Sequence, residues 1–223
     1  MNKRILVVAA HADDEALGCG GTICRHVVDG DLVYLVLMAD GVHSRAESSE
    51  VDFVRRIEAS RRAQSILGIL FSQSLELPDN KMDSVSLLEI VQRLEPIIEE
   101  IQPSIVYTHH HGDLNMDHRL THAAVMTACR PVPGSSVREI YGFEVLSSTE
   151  LATQQSSPFL PDYFVDITQQ LRTKLDALEA YSEEMRKPPH SRSLAHAQVL
   201  AHHRGYSIGV DAAEAFEVYR IIR

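Results

Sequence analysis

The sequence predicts a single α/β domain over residues 1–223, with a mostly parallel sheet of about five or six strands and helices on both faces. Two observations predict it. Short continuous apolar runs stand at residues 5–9 and 32–39, the pattern of strands buried on both faces, and SIVYT at 104–108 reads as a further strand. Segments with apolar residues at helical spacing alternate with them, as the crossover between parallel strands requires. The chain is long enough for one sizeable core, so the architecture expected is a doubly wound, Rossmann-like sheet without a second domain.

Each element has its own reason. Residues 5–9 are apolar and rich in β-branched types, too short for a free-standing helix, and open the sheet. Ile23, Val27 and Val28 then recur at helical spacing and Gly30 offers a stop, predicting a helix over about 15–29. Gly18, Gly20 and Gly21 permit close backbone approach, but position 23 is Ile, so the dinucleotide fingerprint is incomplete. After the strand at 32–39, Asp40 and Gly41 begin a loop. Ser48 or Ser49 is the expected cap of a helix reaching about residue 67, with Phe53, Val54, Ile57, Ala63, Ile66 and Leu67 as its apolar stripe. A third strand at 69–77 ends in the turn of Pro78, Asp79 and Asn80. Helical periodicity over 85–101 contains Pro96, which should kink or restart the helix. The strand at 104–108 leads into a helix over about 118–129, and the rigid loop at 130–134 into a fifth strand at 140–145. Residues 147–161 lack periodicity and read as a pocket-walling loop. A short strand at 164–167 precedes a helix from a Thr168 cap to about Met185. A helix over 193–203 ends at Gly205, and the tail from 212 is an edge strand or a short helix. In the last third His190, Arg192 and His202 could reach a substrate or a neighbouring subunit, although exposed polar residues ordinarily do neither.

Composition narrows the function. Lys and Arg number 21 against 31 Asp and Glu, a net charge of −10. Such a chain has no global attraction for nucleic acid or anionic membranes. Cys19, Cys24 and Cys129 form no CxxC and cannot all pair, which suits a reducing, cytoplasmic setting. Neither a signal peptide nor an apolar run long enough to span a bilayer is expected. A second copy of the chain is left open as a partner.

Chemistry concentrates at two places, each directly after an apolar strand. His11, Asp13, Asp14 and Glu15 fall within five positions, and residues 109–122 (HHHGDLNMDHRLTH) hold five of the 12 histidines. In an open α/β sheet ligands bind outside the carboxyl ends of strands, so the two clusters are expected to converge across ~100 residues of sequence. An imidazole and a carboxylate three residues apart can share a cation, and mixed N/O ligation suits zinc, iron(II) or cobalt(II). His11 and Asp14 are assigned as that pair, leaving Asp13 to take a proton from metal-activated water. Acids also favour the first turn of a helix, but that reading leaves His11 unexplained.

HADDE at 11–15 resembles the AHPDDE signature of the LmbE/PIG-L family of zinc-dependent N-acetylglucosaminyl deacetylases, with Ala12 at the proline position. Proline stiffens a turn but offers no ligand, so the departure leaves the chemistry intact. The likeness continues through Gly20, Gly21 and Thr22. It implies His118 as third ligand, where the family carries an Asp-His pair, with Asp117 either behind the ligands orienting a catalytic group or capping the helix. Where many members have a histidine this chain has Asn115, whose amide can donate to a developing oxyanion but cannot deliver a proton. The acid role then passes to His109, His110 or His111, or Asp13 shuttles the proton alone. His110 is assigned to substrate contact. Arg55 is similar to the family's substrate-contacting arginine, with an i,i+3 pair to Glu58 as the plain alternative. The activity implied is removal of the acetyl group from an N-acetylated amino sugar. The alternatives are an amidase on another N-acyl substrate and a non-catalytic metal-binding α/β module.

Overall fold

The structure, a computed structural model, describes residues 2–39, 50–153 and 157–223, with side chains of the second stretch from residue 54 onward. The loop start at Asp40 and Gly41, the cap at Ser48 or Ser49 and the side chain of Phe53 lie outside the described residues. Strands β1 (Arg4–Ala9), β2 (Leu32–Ala39), β3 (Phe71–Leu77), β4 (Ile105–His109), β5 (Glu139–Phe143), β6 (Tyr163–Asp166) and β7 (Ala213–Ile221) form one sheet in the order β3-β2-β1-β4-β5-β7-β6. From β3 to β5 the strands run parallel, and β7 is antiparallel to both neighbours.

Helices α1 (Asp14–Val28), α2 (Glu50–Leu67), α3 (Leu87–Ile101), α4 (Met116–Ala128), α5 (Leu171–Ala180) and α6 (Leu194–Tyr206) cover both faces. Side chains alternate along a strand. Ile5, Val7 and Ala9 therefore join the core beneath α1, α2, α5 and α6, while Leu6 and Val8 join the one beneath α3 and α4. All five are fully buried, which is why the sequence there shows no polar alternation. No helix among the described residues is long and apolar enough to cross a membrane. The three cysteines are free and buried.

Five expectations need correction. Among the described residues the sheet has seven strands rather than five or six, because the tail is β7, inserted between β5 and β6 with Phe216 fully buried; only its partners distinguish it from an edge. Pro96 does not divide α3: Gln92, whose carbonyl loses its helical bond, faces solvent, where water can satisfy it. Asn115, not Asp117, caps α4, its Oδ1 accepting the Asp117 N–H at 2.8 Å. Gly205 lies inside α6, where a Cβ would come within 2.7 Å of the Ala212 backbone. The helix expected from Thr168 spans only Leu171–Ala180, and the Thr168 hydroxyl instead accepts the Ala212 N–H at 3.3 Å.

Helix α1 is broken at Cys19 (φ −144°, ψ 23°), and a buried ion pair splices it. Glu214 accepts the N–H groups of Gly21 (2.9 Å) and Thr22 (2.7 Å), capping the second segment. Lys174 Nζ donates to the Leu17 carbonyl (2.8 Å), closing the first, and pairs with Glu214 Oε1 at 2.5 Å. Both residues are buried. Breaking such a pair leaves one charge uncompensated, so Lys174→Met is expected to lower stability by about 3–5 kcal/mol. Urea unfolding checks this; an unchanged midpoint would show that α1 does not depend on the splice.

Candidate active site

The connections from β1 and β4 leave in opposite directions along the sheet, so a crevice opens between their carboxyl ends. Both polar clusters stand there. His11 Nδ1 and His118 Nε2 each lie 3.3 Å from the same oxygen, Asp14 Oδ2, which also accepts the His11 N–H at 2.9 Å. Asp14 Oδ1 is buried with no hydrogen-bond partner among the described residues. Burial opposes ionisation of Asp14, but the imidazoles of His118 and His109 overcome it and hold the carboxyl well below its usual range. Against the same burial, Asp14 and Asp113 push His118 up to about 9. One carboxylate oxygen thus faces two imidazole nitrogens that need a proton or a cation between them. The donor set of two imidazoles and a carboxylate fits a divalent ion with an open position.

Carboxylates also stand behind these side chains. The other nitrogen of His11 lies 3.1 Å from Asp117 Oδ2 and 3.2 Å from Asp79 Oδ1. Asp117 is fixed in turn by the N–H groups of Asn80 (2.7 Å) and Met82 (3.1 Å). His118 Nδ1 is 3.1 Å from Asp113 Oδ1, an ion-pair contact rather than an in-line hydrogen bond. Asp113 accepts the hydroxyls of Ser148 and Thr149 and the Asn115 N–H. Such partners fix ring orientation and raise ligand basicity.

Asp13 sits beside this group, 2% exposed, with φ at 111°. A non-glycine residue holds that conformation only when its surroundings impose it. The Asp13 N–H donates to Glu15 Oε2 (3.0 Å), and Tyr181 Oη donates to Glu15 Oε1 (2.6 Å). Arg192 Nη1 donates to Asp13 Oδ2 at 2.7 Å, and its Nε to Ser147 Oγ at 2.9 Å. Burial pushes the Asp13 carboxyl up to about 7 even with Arg192 pulling it down, and burial likewise takes Glu15 to about 7.

These groups face a cavity of about 690 Å³ between α2, the segment after α5 and the crevice. Asn115 lines it; one amide proton points to Asn80 Oδ1 (3.3 Å), leaving the other. Arg55 lines it from α2, exposed, its guanidinium 3.7 Å from Glu183 rather than paired with Glu58. None of the three consecutive histidines lines it. His109 Nε2 accepts the Ala10 N–H (2.8 Å), and burial together with His118 holds its pKa well below the usual value, so it is a neutral ring stacked on His118. His110, assigned above to substrate, has its ring committed to Glu217 and the Ser157 carbonyl. His111 contacts Tyr219. The acid role offered to these three is therefore not met by their positions.

Sequence reasoning missed several members. Asp79 reads first as a turn residue and Arg192 as an exposed one, with substrate contact the less frequent alternative for each, and Asp113, Tyr181 and Glu15 have no assigned part. Asp113 lies two residues before Asn115, inside the polar cluster, and that was its signal. Arg192 is 179 positions from Asp13 and carries none.

The family model described as GlcNAc-PI de-N-acetylase, PIG-L, matches residues 6–129, more than half of the chain. A protein called an uncharacterized deacetylase, YaiS, from Escherichia coli (strain K12) is 34% identical over 188 residues, covering 81% of this chain and 92% of that protein. A diacetylchitobiose deacetylase from Thermococcus kodakarensis is 27% identical over 195 residues, 82% and 70% of the two chains. Among solved structures, an N,N'-diacetylchitobiose deacetylase from Pyrococcus horikoshii superposes with a TM-score of 0.79 at 22% identity, covering 98% of this chain and 84% of that one, which speaks for the fold. On the extent of these matches and the HADDE and Asp-His motifs at the crevice, the chain belongs to the PIG-L family of de-N-acetylases.

Proposed function

We propose that the chain is a metal-dependent N-deacetylase that hydrolyses the acetamide of an N-acetylated amino sugar of the N-acetylglucosamine type, yielding acetate and the free amine. The observation that carries it is the convergence of His11 and His118 on one carboxylate oxygen of Asp14, with the Asp13 carboxylate beside them at a cavity. The family and the relatives' names support the substrate class.

A zinc ion, or iron(II) or cobalt(II), held by those three residues supplies the Lewis acidity that polarises an amide carbonyl and makes water nucleophilic near neutral pH. The remaining work falls to side chains. Asp13 accepts the proton of the attacking water and returns it to the departing nitrogen. Arg192 holds that carboxylate in one orientation, while Glu15 and Tyr181 hold its backbone. The free amide proton of Asn115 is available to a developing oxyanion. Arg55, at the cavity rim, is assigned to the sugar or its attached group. With no histidine reaching the cavity from 109–111, Asp13 serves as both base and acid. Asp117 orients His11 instead of touching substrate. Three unpaired cysteines support a cytoplasmic setting.

Metal-loaded protein incubated with diacetylchitobiose and N-acetylglucosamine conjugates should release acetate and amine in equal amounts, stop when chelated and resume with zinc or cobalt. Amine release from non-sugar N-acyl compounds alone would transfer the activity to another substrate class. No turnover of any N-acyl compound by metal-loaded protein would leave the binding-module reading.

A further inference from the structure

We propose that His110 and His111, directly after β4, and Glu217, on β7 across the intervening β5, form a second divalent-cation site of the zinc class, sharing no residue with the catalytic one. One donor atom from each of the three lies within 4.8 Å of the others.

The hydrogen-bond pattern points to a cation. His110 Nε2 is 2.9 Å from the Ser157 carbonyl, which only accepts, so Nε2 carries a proton. In neutral His110 the other nitrogen, Nδ1, then holds a lone pair, yet it lies 2.7 Å from Glu217 Oε2, itself a lone-pair donor. Two such atoms approach only around a shared positive charge, a proton or a metal. An imidazole whose far N–H is fixed on a backbone carbonyl is in the tautomer and orientation of a metal ligand. Only glycine at 112 permits this, because a Cβ there would collide with both Ser157 and His110.

The carboxylate is fixed in the same way. Glu217 Oε1 accepts the Leu160 N–H at 2.8 Å, and Oε2 accepts the Tyr219 hydroxyl at 2.8 Å. The same Oε2 is 3.7 Å from His111 Nδ1. Bonds of about 2.1 Å in a tetrahedral site set donor atoms about 3.4 Å apart, between the 2.7 Å and 3.7 Å found here. His110 is buried while the His111 side chain is 46% exposed, which gives an ion a way in and leaves room for water as fourth ligand. Bound there, the ion would tie residues 157–160 to the end of β4.

Tag-free, full-length protein stripped with chelator and dialysed against buffered zinc tests this by metal analysis and thermal melting. Wild type should hold two equivalents, His118→Ala one, and the double variant His118→Ala/His111→Ala none. Zinc should raise the Tm of His118→Ala but not of the double variant, since a ligand stabilises only the state that binds it. Glu217→Gln in the His118→Ala background, which keeps an acceptor for Leu160 but removes the charge, should match the double variant. If His118→Ala holds no zinc, or the double variant still holds an equivalent, the trio is only a proton-bridged ion pair and the proposal fails. These counts do not depend on turnover, so they stand apart from the deacetylase reading.

Discussion

Replacing Asp13 by Asn is expected to lower kcat by about 10²–10⁴-fold, the usual contribution of a positioned general base, with metal content unchanged. The substitution keeps the side-chain volume and a hydrogen-bond acceptor for Arg192. It removes the proton acceptor. Asp13 donates no atom to the group of His11, Asp14 and His118, so stoichiometric metal should survive. Its strained backbone, held by Glu15 and Tyr181, gives a second expectation: the variant should be no less stable than wild type, because burial already disfavours the charged carboxylate. Steady-state acetate release, metal analysis and a melting curve on one preparation check all three. A variant that keeps both metal and full kcat would remove Asp13 from the proton-transfer role.

His118→Ala is expected to abolish activity and to weaken metal binding at the crevice by more than the about 10–100-fold typical of losing a partner that merely supports a ligand. His118 brings the only donor of the trio supplied from the β4 side, so without it His11 and Asp14, both from one turn, are left with two donors. The deletion also strands Asp113, which is buried and partly balanced by that ring. Added imidazole can enter the vacated space, and partial rescue of turnover by it would separate a missing ligand from a collapsed site. An equally tight crevice metal in His118→Ala would show that these three residues do not hold one ion.

The fold class was legible because the physics behind it is local. Residues 5–9 and 32–39 are apolar without alternation, and only strands covered on both faces tolerate that. What the pattern could not convey was pairing. The tail, AEAFEVYRI, reads equally as an edge strand or a short helix, and its place between β5 and β6 depends on partners far away in sequence. Cap chemistry was similarly ambiguous. Asn115 and Asp117 are both good cap residues, and the choice fell to Asn115 because Asp117 is drawn to Asn80, Met82 and His11.

In the site, His11, Asp13 and Asp14 declared themselves by standing together directly after a strand, and residues 109–122 by their density of histidine. The Asp-His motif singled out His118, which lines the cavity, but that His109, His110 and His111 do not was invisible, since they are alike in type and differ only in where the end of β4 turns them. By itself the sequence determined the parallel α/β sheet, the two chemical clusters and their placement at strand ends, because hydrophobic periodicity and residue type act over a few neighbouring positions. Only the tertiary structure decided that Arg192 grips Asp13, that Asp117 and Asp79 stand behind His11, and that His110 belongs with Glu217, because hydrogen bonds and ion pairs form wherever folding brings charges together, and no local pattern encodes that meeting.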